Sequence, residues 1–215
     1  MVWIIDALLM AVLLINIFML GVSRLKSLIL AAAVQGILLS ILPVLLVANR
    51  DPLIIITAVV TAGVKGWTIP RMLEKALRDV KIKHEVEPLI GFIPSMLIGA
   101  AGTAALLLVG AHSTAGYQPM SRLIIPASMS TILTGLLLLT TRFKALTQII
   151  GYLILENGIY IFGMLLLAVV PFLVELGIVL DLFVGIFVVC IIINHIRSAF
   201  DSLDTRRLTA LKEQT

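Results

Sequence analysis

Polar and charged positions along this chain come in short clumps separated by long apolar runs. A helix that spans the hydrocarbon core of a bilayer needs about 20 mainly apolar residues. Seven runs meet that requirement, at about 2–22, 27–48, 53–73, 89–110, 122–140, 145–169 and 172–195. The breaks carry turn and charge signals: Arg24 and Lys26, Asn49 to Pro52, the charged stretch 74–88, a Gly/Ser/Tyr/Pro loop at 110–121, Arg142 with Lys144, and Pro171. Strands of a membrane barrel would be about 10 residues long with strict alternation, a pattern these runs lack. The reading is an all-α polytopic membrane protein with seven transmembrane helices. Asp6 lies in the first run and no basic stretch precedes it, so that run reads as a retained helix and not a cleaved signal.

Composition narrows the class further. The 215 residues are 60% hydrophobic and 13% charged, with mean hydropathy +1.16, whereas soluble domains carry roughly 25% charged residues. A water-soluble domain, a disordered chain and a disulfide scaffold are excluded. The single cysteine, Cys190, can neither close an internal disulfide nor supply a thiolate metal site. With the first interhelical gap in the cytoplasm, all 16 Lys and Arg residues fall inside except Arg50, Arg122 and Lys65. The positive-inside rule then sets the N-terminus outside and the C-terminus in the cytoplasm of a multi-pass inner-membrane protein. The net charge of +4 follows from that topology. The expected surroundings are the lipid bilayer, with no nucleic acid partner.

A short motif recurs. Ser23-Arg24-Leu25-Lys26-Ser27-Leu28 is echoed by Thr141-Arg142-Phe143-Lys144-Ala145-Leu146, 118 residues later. At that spacing the first three spans align with the last three and the fourth becomes a linker. Such a repeat is parallel, related by an axis along the membrane normal. Any two membrane helices joined by a basic turn also look alike, so duplication and coincidence both stay open. The expected organisation is an N-terminal three-helix unit at 1–73, a basic cytoplasmic loop plus linker helix at 74–121, a second three-helix unit at 122–195, and a cytoplasmic tail at 196–215.

Ionisable residues inside spans carry the functional signal, because a charge at a helix centre costs about 2.5–3.5 kcal/mol on insertion scales. Lys65, Glu156 and Asp181 lie roughly 14–20 Å from their helix ends at 1.5 Å per residue, near mid-membrane. They form the expected proton path. Tyr152, Glu156, Tyr160 and Gly163 share one helical face, which offers the carboxyl two phenol partners. Gly177, Asp181 and Gly185 form another stripe, with His195 on the same face at the cytoplasmic end. Lys65 shares its face with Thr61 and Thr68. Glu175 and Asp6 sit near span ends, where they can snorkel. Gln35 reads first as a helix–helix hydrogen bond, while His84, His195 and His112 read as interfacial or loop residues before relay members. A buried ion pair that only fixes helix register is the plainer alternative. No phosphate-binding loop, paired haem histidines or nucleophile triad occurs. No cofactor or metal is therefore expected, and redox chemistry would belong to partners.

Specific strings then become recognisable. Gly151-Tyr152-Leu153-Ile154-Leu155-Glu156-Asn157-Gly158 is followed by Leu173-Val174-Glu175-Leu176-Gly177-Ile178, Asp181, Leu203-Asp204 and Leu208-Thr209-Ala210-Leu211-Lys212. With Lys65 and Pro70 in the third span, this pattern resembles hydrogenase-4 component E, the membrane subunit of formate-hydrogenlyase-type group 4 [NiFe] hydrogenases. The last three spans also resemble the K subunit of respiratory complex I and the small C subunit of Mrp antiporters. There, two carboxylates on adjacent helices take part in a proton path, and Glu156 and Asp181 match them by position. The second is Asp here, one methylene shorter, and the repeat places Leu38 opposite Glu156. The resemblance implies a non-redox membrane-arm subunit that couples proton or sodium movement to redox chemistry elsewhere. Its implied partners are antiporter-like and quinone-site-type membrane subunits, with peripheral hydrogenase and iron–sulfur subunits. Two other readings stay open: a subunit of a Mrp-type Na⁺/H⁺ antiporter, or a purely structural assembly subunit.

Overall fold

The computed structural model describes residues 2–46, 52–79, 86, 88–113 and 121–166. Its elements are α1 Val2–Gly21, α2 Leu25–Leu46, α3 Pro52–Gly63, a π-helical turn Val64–Thr68, α4 Ile69–Asp79, α5 Phe92–Ser113, α6 Ile124–Thr141 and α7 Ala145–Gly163. A 3₁₀ turn, Met164–Leu166, closes α7. The regular elements of the described residues are all helical, with no strand; Pro88 and Arg142 form an isolated bridge. Pro52, Pro94 and Pro126 each fall in the first turn of a helix, where the missing N–H has no intrahelical partner to lose.

Among the described residues, α1, α2, α5, α6 and α7 are each long and apolar enough to cross a membrane. The chain is a multi-pass membrane protein. One expectation needs adjusting. The span at 53–73 is a helix interrupted by the π turn, running from Pro52 to Asp79, so the charged connector expected from 74 begins as helix. Pro70 supplies the reason: it donates no hydrogen bond and its ring crowds the carbonyl one turn back. The helix absorbs this by widening just before it. The span expected at 172–195 lies outside the described residues.

Two apolar clusters fill the interior at opposite ends of the helices. One gathers Met19, Leu20, Leu25, Leu28, Leu73 and Leu77 with Leu138, Ile150 and Ile154; the other gathers Ile5, Leu9 and Val12 with Leu39, Leu42, Ile124 and Ile161. The stretch between them on α1, α2, α6 and α7 holds buried polar side chains, among them Asn16, Gln35, Thr131, Glu156 and Asn157.

Helices α6 and α7 make backbone-to-backbone contact. A Cβ on Gly135 would lie 2.5 Å from the backbone nitrogen of Leu155, and one on Gly158 would lie 2.6 Å from that of Ile132. Small residues are what permit such approach in a bilayer, where association depends on packing. Gly135→Ala should force the pair apart at a cost of about 1–3 kcal/mol, read as a lower Tm in detergent. Gly163 has open space around it, and Gly163→Ala should leave Tm unchanged or slightly raised.

The chain entering α5 is laced between the two helical hairpins. Val86 donates its backbone N–H to the Ser23 carbonyl and Leu89 donates to the Thr141 carbonyl, each at 2.8 Å. Ser23 and Thr141 are the residues that the recurring motif sets in register. Arg142, 1% exposed, donates from Nη2 to the Leu20 carbonyl at 2.9 Å and from Nη1 to the Ile90 carbonyl at 3.3 Å. Its guanidinium lies 5.0 Å from the centre of the Phe92 ring. The Leu20 carbonyl belongs to the last turn of α1, where acceptors are unfilled and a cation is favoured. Burial pulls the Arg142 pKa below its ordinary value. Arg24, its counterpart in the motif, is exposed.

Candidate functional site

Lys65 enters the polar layer from the π turn, about 20 Å along from Pro52 at 1.5 Å per residue. Glu156 lies about 16 Å into α7 from Ala145. The Lys65 Nζ is 3.1 Å from Oε1 of Glu156, with side chains 8% and 10% exposed. The same ammonium donates to Oδ1 of Asn157 at 2.9 Å and lies 5.5 Å from the centre of the Tyr160 ring. A cation from the turn after α3 thus meets a carboxylate, an amide oxygen and an aromatic face from α7. Gly36 of α2 makes room for this, since a Cβ there would lie 2.8 Å from Cβ of Lys65.

A cavity of about 20 Å³ opens beside Lys65 and Asn157, walled elsewhere by apolar side chains such as Ile29, Ala32, Ile69 and Leu153. That volume accommodates about one water. The Lys65 side of the ion pair thus has a small flank that can be wetted.

A second polar chain crosses α2, α1 and α6. Gln35 Nε2 donates to Asn16 Oδ1 at 2.9 Å, Asn16 Nδ2 donates to Thr131 Oγ1 at 2.8 Å, and Thr131 donates to the Ala127 carbonyl at 2.6 Å. A carbonyl only accepts, so the Ala127 end fixes the direction of every bond in the chain. All three side chains are at most 1% exposed. Gln35 Oε1 ends the chain without a hydrogen-bond partner among the described residues. Gln35 is thus the helix–helix connector that its position suggests.

The other expected residues divide. Tyr160 is half-buried beside the ion pair, but Tyr152 is 38% exposed. The cause is geometric. Glu156 sits at the edge of the buried arc of α7, and Tyr152, about 40° further round, falls off it. Asp6 is tied down, its Oδ1 accepting from the Ser121 hydroxyl. Asp181, Glu175 and His195 lie outside the described residues. Asn16, Thr131 and Asn157 were not singled out by sequence; an uncharged amide or hydroxyl in an apolar run is a weaker signal than a charge. Among the described residues, no three His, Cys, Asp or Glu side chains converge as a metal site.

Compared with known proteins, the chain is 29% identical to an uncharacterised protein of Mycobacterium tuberculosis over 198 residues, 88% of this chain and 87% of that protein. It is 30% identical to hydrogenase-4 component E of Escherichia coli K12 over 151 residues, 69% of this chain and 68% of that protein. The same figures hold for hydrogenase-4 component E of Shigella flexneri. No family model matches the chain, and no solved structure does.

Proposed function

This chain belongs to the hydrogenase-4 component E family, and we propose that it serves as a membrane subunit of a multisubunit hydrogenase complex, relaying protons (or sodium ions) through Glu156 and Lys65. One observation carries the relay: a cation and a carboxylate from distant parts of the chain meet at 3.1 Å deep in the helix bundle. Intramembrane ionisable residues of this kind mark ion pathways by default. In this reading a change in the contact between Lys65 and Glu156, 3.1 Å apart at rest, accompanies each proton transfer.

In this reading Glu156 accepts and releases the proton. Lys65 biases it, Asn157 and Tyr160 hold the ammonium in place, and Asp181 is the next carboxyl, with His195 toward the cytoplasmic exit. Redox chemistry resides in peripheral hydrogenase and iron–sulfur subunits, and the membrane neighbours are antiporter-like and quinone-site-type subunits. The asymmetry of Lys and Arg supports an inner-membrane orientation with the N-terminus outside. The duplication belongs to the same reading, supported by the equivalent hydrogen bonds to Ser23 and Thr141.

The test is Glu156→Gln in the assembled complex, with ion movement measured in inverted vesicles. Coupled ion movement should fall on the order of 10²-fold, the lower end of what a positioned proton-transfer group contributes, while the subunits still co-purify. Undiminished ion movement with normal assembly removes Glu156 from the path.

A further inference from the structure

The two faces of α4 differ sharply. Ile69, Leu73, Ala76 and Leu77 are buried, while Arg71, Lys75 and Arg78 are exposed. At about 100° per residue the three cations fall within about 60° of one another, opposite the buried set. With Glu74 they line one open depression. Glu74 lies 3.8 Å from Arg78, so the stripe keeps a surplus of positive charge.

Its height along the helix is informative. The outward side chains of α3, among them Ile55, Ile56, Val59 and Val60, are apolar and exposed. Counting from Pro52 at 1.5 Å per residue, Trp67 lies about 22 Å and Arg71 about 28 Å along, against a hydrocarbon thickness of about 30 Å. Trp67 is 58% exposed, and the Arg71 guanidinium lies 4.0 Å from the centre of its ring. Tryptophan favours the headgroup layer, and stacking holds the arginine at that level. Lys75 and Arg78 follow about 6 and 10 Å further out.

We propose that this stripe binds the phosphate of an anionic phospholipid, with Arg71 as the anchor, Lys75 and Arg78 as further cations, and Trp67 packing on the lipid beneath. A guanidinium presents a planar fork that matches two phosphate oxygens at once. Lipid is favoured over an acidic protein partner because Trp67 joins the stripe to the exposed apolar face of α3 without a break. This inference is independent of the relay through Glu156, so either can fail alone.

The experiment is native mass spectrometry of the full chain, released from nanodiscs of equal phosphatidylglycerol and phosphatidylcholine. Wild type should retain phosphatidylglycerol preferentially. Each neutralised cation in Arg71→Gln, Lys75→Gln and Arg78→Gln should lower that retention about fivefold, equivalent to about 1 kcal/mol. Glu74→Gln should raise it. Arg71→Lys, which keeps the charge and loses the fork, should lower it and serves if the triple variant that combines the three neutral substitutions does not fold. Equal retention of both lipids, or wild-type retention by the triple variant, would overturn the proposal. So would displacement by millimolar inorganic phosphate, which would mark a soluble-phosphate site. Loss of a partner subunit from the complex with lipid retention intact would instead make the stripe a protein interface.

Discussion

Replacing Lys65 with methionine is expected to stop ion movement and to destabilise the subunit by about 3–5 kcal/mol, the cost of leaving one member of a buried ion pair behind. Methionine keeps much of the packing of the lysine stem and removes only the charge. The relay then lacks the cation that lies 3.1 Å from Glu156 and biases it in the proposed path. Thermal unfolding reads the first effect and acidification of inverted vesicles the second. The double variant Lys65→Met with Glu156→Leu separates the alternatives, because replacing a buried pair by apolar residues is often neutral or stabilising. It should recover stability and still move no ions. Recovery of both would mean the pair only fixes helix register, as a structural assembly subunit requires.

Arg142→Ala has the second-largest expected effect, and it acts on stability alone. The side chain supplies charged hydrogen bonds to the carbonyls of Leu20 and Ile90 and covers the Phe92 ring. Hydrogen bonds to charged groups contribute about 1.5–3 kcal/mol each, so the loss is about 3 kcal/mol or more. For a chain of this size that lowers Tm by roughly 6–12 °C. Arg142→Lys should recover only part of it, since one ammonium lacks the planar fork that spans two carbonyls. Ion movement per folded complex should be unchanged in both variants. A transport defect at normal Tm would place Arg142 in the path.

The sequence made the all-helical membrane fold legible because bilayer thickness converts directly into run length. It also exposed Lys65 and Glu156, since each is a charge near the middle of a long apolar run. Their partnership was less visible: nothing local says which face of α3 meets α7, and the meeting depends on the widened turn before Pro70. That turn had a signal in Pro70, but only its three-dimensional consequence shows that Lys65 is thrown toward Asn157. Tyr152 looked equivalent to Tyr160 because both are one turn from Glu156. The bundle breaks that symmetry by burying one flank of α7 more than the other. Arg142 reads as one more topology-setting charge, and only packing shows it joining the end of α1 to the entry of α5. Asn16 and Thr131 escaped notice because neutral polar groups join silently into networks.

Infrared difference spectroscopy of the complex, comparing resting and turning-over states, reads the protonation of a buried carboxyl directly. The expected result is a carboxylic-acid carbonyl band that changes with turnover and is missing in Glu156→Gln. A turnover spectrum in that region identical in wild type and Glu156→Gln, with ion movement proceeding in both, would contradict the relay at its centre.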